Sequence, residues 1–300
     1  MSLAIANMGL SVALTYHGRF VRIAASVLLI AVFVGGQLSH AAGPPGAGST
    51  VNRLVDVSGM AYATRQILPS ILSGMDEPLD GVPVEMRAGL RDAATQAFQP
   101  DPIIERITAR LGATLTARQL DDALAWLESP AGLRITALEN EAAEPTAAER
   151  MQAYGRELEQ NPPAAQRVRL IGELNRASGS SEMAVKIMEA VVLATALGVN
   201  AALPVQQRVP VDAVRQQVKA ALPQLRREAD QMVILNMLYA YRSLSDPELE
   251  AYLGFLNSSS GAAYANGALA AVGDAMLEAI GRFMAAIPKA LEKHKGAIGA

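Results

Sequence analysis

Residues 126–132 read Trp-Leu-Glu-Ser-Pro-Ala-Gly, and residues 255–261, 129 positions later, read Phe-Leu-Asn-Ser-Ser-Ser-Gly. A glutamate beside a serine at a helix junction can act as a lone general acid: burial raises a carboxyl's pKa, and a carboxyl kept protonated can start glycosidic cleavage. The second stretch argues against that use, because Asn257 stands where Glu128 stands and an amide cannot deliver a proton in that way. A structural reading accounts for more of the residues. Ser129 can accept one of the free N–H groups at a helix start, Pro130 suits the first helical position, and Gly132 permits close approach at a bend. Ser258 or Ser259, with Gly261, can do the same. The expectation is therefore a helix–corner–helix built twice, with no catalytic, cofactor-binding or metal-ligating residue.

Other chemistry is constrained by what the chain lacks. It has no cysteine, which excludes a thiol nucleophile and thiolate metal sites. Its three histidines are His17, His40 and His294. Two fall in the N-terminal segment and the third in a Lys-rich tail, so neither a Ser-His-Asp triad nor a histidine metal cluster can be assembled. Carboxylates group at Glu139, Glu141 and Glu144, and at Asp121-Asp122, without the loop spacing of a calcium site. They read as helix-surface charge. The Gly-rich stretch 43–50 lacks the lysine of a phosphate-binding loop.

The elements that must position the corners are helical. Apolar residues make up 51% of the chain and aromatic residues only 4%, and the abundant alanine favours helix over strand. Helices are expected over Val84–Gln99, over Pro102–Ala113 with Asp101 as N-cap, and over Thr116–Glu128 behind the capping box Thr116/Gln119. Leu120, Ala123, Leu124 and Leu127 share one face of the last of these. The same design recurs at Ser245/Glu248 with Leu249, Tyr252, Leu253 and Leu256, and Phe255 takes the place of Trp126. Val82-Pro83-Val84 answers Val209-Pro210-Val211 at an offset of 127, and Ser58-Gly59 answers Ser178-Gly179 more weakly.

This pattern predicts an all-α fold of two tandem, internally duplicated helical modules. Residues 51–143 form the first and 171–288 the second, with connecting helices over 144–170 broken at Asn161-Pro162-Pro163. A flexible tether covers 42–50 and a frayed tail 289–300. The uncharged run 190–205 is expected to be a buried core helix. A last helix over Ala262–Ile287 carries Leu269, Val272, Met276, Ile280, Phe283 and Ile287 on one stripe, with Asp274, Glu278 and Arg282 opposite.

Residues 1–41 read as an export signal: Arg19 and Arg22, an apolar run from Ile23 to Gly36, then Ser39-His40-Ala41. The alternative is an uncleaved inner-membrane anchor, and Met8 is a second candidate start. Removing the segment takes away two basic residues and no acid, so the net charge of −3 becomes −5. That balance gives no footprint for nucleic acid. Membrane contact is expected only through the N-terminal segment if it stays attached, and a partner protein of the envelope through the C-terminal helix.

The capping box, Leu-rich helix, aromatic-Leu pair, Ser-Pro-x-Gly and following helix resemble an uncharacterised family of exported bacterial proteins, domain of unknown function 2059. The matching residues are Leu124, Trp126, Ser129, Pro130 and Gly132, and again Leu253, Phe255, Ser258 and Gly261. The resemblance implies an all-helical, envelope-located protein and no known activity. Glu128-Ser129 also resembles the single-glutamate site of lytic transglycosylases, which implies a carboxylate-dependent enzyme acting on cell-wall glycan. Nothing downstream resembles that family's substrate-binding segments. The reading taken is a periplasmic or secreted, non-catalytic protein-interaction module; a cell-wall glycan enzyme and an anchored structural protein are the alternatives.

Overall fold

Proline and glycine stand at many of the boundaries between elements in the computed structural model, which describes residues 47–76, 84–202 and 205–295. All regular structure among the described residues is helical. The first helices are α1 (Ala47–Val57), α2 (Met60–Asp76), α3 (Val84–Ala97), α4 (Pro100–Thr114), α5 (Ala117–Leu127) and α6 (Pro130–Ala143). There follow α7 (Ala147–Gln160), α8 (Ala165–Ser178), α9 (Ser180–Ala202), a 3₁₀ turn (Val205–Gln207), α10 (Val211–Ala240), α11 (Asp246–Asn257) and α12 (Ser259–Lys295). Among the described residues two glycines take positive φ, Gly59 (73°) and Gly179 (66°), each where one helix ends and the next begins. Only a residue without a Cβ adopts that backbone cheaply.

Several boundaries differ from expectation. α4 starts at Pro100 behind Gln99, not behind Asp101, because the pre-proline Gln99 is extended (φ −61°, ψ 128°) and Pro100 already opens the helix. Helix α1 begins at Ala47, inside the stretch read as a tether, since Val51, Leu54 and Val55 are buried and hold it. α12 extends beyond Ala262–Ile287 at both ends. The segment 1–41 and the last five residues lie outside the described residues. Among those described, no helix is long and apolar enough to cross a membrane.

One core runs from Val51 to Ile280, so the stretches 51–143 and 171–288 share it. α12 lies at its centre. Ala268, Ala271, Ala275, Met276, Ala279 and Ile280 are buried, and the helix packs most extensively on α3, then on α4, α9 and α5. Its small residues let neighbours close in: a Cβ on Gly267 would sit 3.4 Å from a Leu115 methyl. The outward charges also find partners in the first half, Asp274 with Arg110 and Glu278 with Arg106, both at 3.3 Å. Arg282 donates to the Ala97 carbonyl at the end of α3.

α7 and α8 are parted at Asn161-Pro162-Pro163, and α8 runs past the stretch 144–170 to Ser178 and joins the core through Leu170, Ile171 and Leu174. Arg167 anchors it by donating to the Tyr241 and Leu244 carbonyls and to Asp246. The uncharged run is only half-buried over 190–194. It pairs with the start of α10 around a small satellite core of Ala196, Val214 and Val218. Asn200 closes that hairpin, its amide donating to and accepting from the backbone of Val209 at 2.9 Å each.

Candidate functional site

The two corners are built alike. Ser129 is the N-cap of α6 (φ −66°, ψ 158°), and its Oγ accepts the N–H of Gly132 at 3.1 Å. Ser258 (φ −71°, ψ 160°) accepts from Gly261 at 3.0 Å and also donates to the Phe255 carbonyl at 2.7 Å. Neither glycine has room for a side chain. A Cβ on Gly132 would lie 2.6 Å from the Leu127 carbonyl oxygen, and one on Gly261 2.7 Å from the Phe255 carbonyl carbon. Each Ser-x-x-Gly therefore combines a cap with an unobstructed approach of the new helix to the backbone of the old one. Glycine inside a helix costs about 1 kcal/mol relative to alanine, so its use in a first turn reflects this steric requirement.

The corners also meet. The ring of Trp126 stacks on Phe255, centroids 4.2 Å apart and planes 9° from parallel, and next on Tyr252 at 5.2 Å. Glu128 points elsewhere. Its side chain keeps 32% exposure and binds Arg53 Nε at 2.6 Å, so it lacks the burial that the general-acid reading requires.

The carboxylate that does enter the interior is Glu139, 1% exposed on α6. The expectation of surface charge at Glu139, Glu141 and Glu144 is thus corrected for this residue. Helical spacing from the corner explains it. Gly132, Ile135, Thr136, Glu139, Asn140 and Ala143 form one buried stripe, and Glu139 falls in its middle. That spacing was the available signal, obscured because half the stripe is polar. Glu141 faces outward to Arg242 at 2.7 Å and Glu144 to Arg150 at 3.3 Å. Asp122 accepts from Ser260 at 2.7 Å. The acidic groups therefore diverge, and among the described residues no group of three or more His, Cys, Asp or Glu could hold a metal ion.

Glu139 Oε1 accepts from the Tyr241 hydroxyl at 2.7 Å and the Tyr252 hydroxyl at 3.3 Å. Burial, then the charge of Glu139, pushes both phenols well above their ordinary range. Burial does the same to Tyr264 nearby. The phenols thus stay protonated and remain donors across all working pH. The rings continue the network, Tyr241 edge-on to Tyr252 at 6.1 Å. Chemically this arrangement holds a carboxyl group in place. A general acid must come within hydrogen-bond reach of the group it protonates, and this one is bonded to the protein's own hydroxyls. The network ties α6 to the end of α10 and to α11 through residues 102 and 113 positions from Glu139.

No curated protein and no solved structure matches the chain. A family model does, over α4 to α7 and the first corner. Residues 101–161 match the family described as "Uncharacterized protein conserved in bacteria (DUF2059)".

Proposed function

We propose that this is an exported protein of the bacterial envelope that has no catalytic centre and works by binding another protein through helix surfaces. The observation that carries the reading is the use of its two most reactive-looking carboxylates. Glu128 is tied to Arg53, and Glu139 is enclosed by Tyr241 and Tyr252. Both serve the fold. The basic, apolar and small-residue order of segment 1–41 supports export to the periplasm. Because the apolar stripe of α12 is spent on its own core, a partner of that helix would meet its outer side. There Asp274, Leu277, Gly281 and Ala285 are exposed, Leu277 by 43%.

The test is complementation of a deletion strain combined with intact-mass analysis of the envelope fraction. The expected product starts at Ala42, and Glu128→Gln complements fully. Loss of complementation by Glu128→Gln with native circular dichroism would revive the glycan-enzyme reading. A chain still carrying Met1 or Met8 in the membrane pellet would replace export with anchoring. Leu277→Glu should abolish co-purification of the partner without lowering thermal stability.

A further inference from the structure

Two helices close this fold, α6 and α12, and each starts at a Ser-x-x-Gly corner. Each also packs beyond the stretch it belongs to: α6 against α10, and α12 against α3, α4 and α5. With residues paired 129 positions apart, α6 corresponds to the start of α12, α4 to the second part of α10, and α5 to α11. The folding chain therefore holds two similar helices and two similar grooves. Apolar packing of about the right size tolerates many arrangements and separates such alternatives poorly.

One set of positions separates them sharply. Glu139 meets Tyr241 and Tyr252. The residues 129 positions from these three are Ala268, Gly112 and Ala123. Ala268 and Ala123 are buried, and the neighbouring Gly267 lies against Leu111 and Leu115. One groove thus matches a carboxylate to two phenols, and the other matches small apolar residues.

We propose that this is an address. Glu139 with Tyr241 and Tyr252 assigns α6 to the α10–α11 groove and so leaves the α4–α5 groove to α12. In the wrong groove Glu139 would meet Gly112 and Ala123, which have no hydroxyl to donate, and Ala268 would take from Tyr241 and Tyr252 the carboxylate to which both donate. A mismatch of this kind penalises the alternative more than the match stabilises the native form, as buried polar groups that set register do.

The sole tryptophan, Trp126, sits where the corners meet, so 5-fluorotryptophan gives one ¹⁹F resonance for one arrangement. The experiment uses the full chain refolded from denaturant. Glu139→Leu should lower Tm by removing the carboxylate to which Tyr241 and Tyr252 both donate. Glu139→Leu with Tyr241→Phe and Tyr252→Phe should regain most of that Tm, because no polar group is stranded. It should nevertheless show more than one resonance, with oligomers in light scattering, because the address is gone. Glu139→Gln, whose carbonyl still accepts, should keep a single resonance and a monomer. An unchanged Tm in Glu139→Leu overturns the proposal. So does a triple variant that folds as a monomer with one resonance, since no address is then needed. A triple variant that regains no Tm overturns it as well, since shape rather than polar matching would then seat α6.

Discussion

Residues 100–160 form four helices, whereas the stretch 129 positions later contributes to only three, α10, α11 and α12. Two prolines account for the difference. Pro100 ends α3 through an extended Gln99, while Ala229 stands 129 residues on and α10 runs through it for 30 residues. Pro145 ends α6 through an extended Glu144, while Asp274 stands in its place and α12 continues to 37 residues. A residue before proline is biased away from the helical region and proline supplies no N–H to the ladder, a bias that packing overrides at Pro69 in α2 and Pro223 in α10. The corners themselves are kept on both sides. The number of helices is therefore a matter of punctuation, and the packing relation set at the corners survives it. After its break, α7 still returns to α10, with Tyr154 edge-on to Tyr239 at 5.8 Å.

The comparison of the two corners can be broken most easily at their glycines. Gly132→Ala and Gly261→Ala should each destabilise by about 2–3 kcal/mol, the upper range for forcing a methyl group into a full site. Gly261→Ala should be the worse, because its Cβ would press closer on the Phe255 carbonyl than a Cβ on Gly132 would on the Trp126 carbonyl. Urea titration followed by Trp126 fluorescence measures both. If either alanine variant matched wild type, the steric account of the Ser-x-x-Gly corner would be wrong.

A smaller effect is expected at the caps. Ser129→Ala and Ser258→Ala each lose one accepted N–H, which costs about 1 kcal/mol. Ser258→Ala should exceed Ser129→Ala, because Ser258 also donates to the Phe255 carbonyl. Thermal melts of the two variants under one buffer check the order, and a larger loss at Ser129 would show that the corners are less alike than their geometry.

The smallest difference lies in the boxes that precede the corners. Thr116 and Gln119 cap α5 reciprocally, at 2.9 and 3.3 Å, without a charge. Ser245 instead donates its N–H and its hydroxyl to the Glu248 carboxylate, both at 2.7 Å. Those bonds, with Arg134 nearby, lower the Glu248 pKa. The folded value lies below the unfolded one, so this contribution is full above the ordinary glutamate range and is lost as pH falls through the folded value. Amide exchange at the start of α11 should therefore accelerate in acid while that at the start of α5 does not. Glu248→Gln should remove the difference.

The all-helical class, both capping boxes, both corners and the break at Asn161-Pro162-Pro163 were legible in the sequence. Each depends on residues within four or five positions of one another: a side-chain oxygen reaching a nearby N–H, a proline shaping its neighbour, a stripe at helical spacing. What the tertiary structure alone decided is which surfaces meet. It placed α12 against the first half of the chain, set Trp126 on Phe255, and turned Glu139 inward while Glu141 and Glu144 remained outside. No local pattern contains that information. The same glutamate on a helix is surface charge or buried acceptor depending on whether hydroxyls from residues 241 and 252 arrive opposite it, and only the folded chain brings them there.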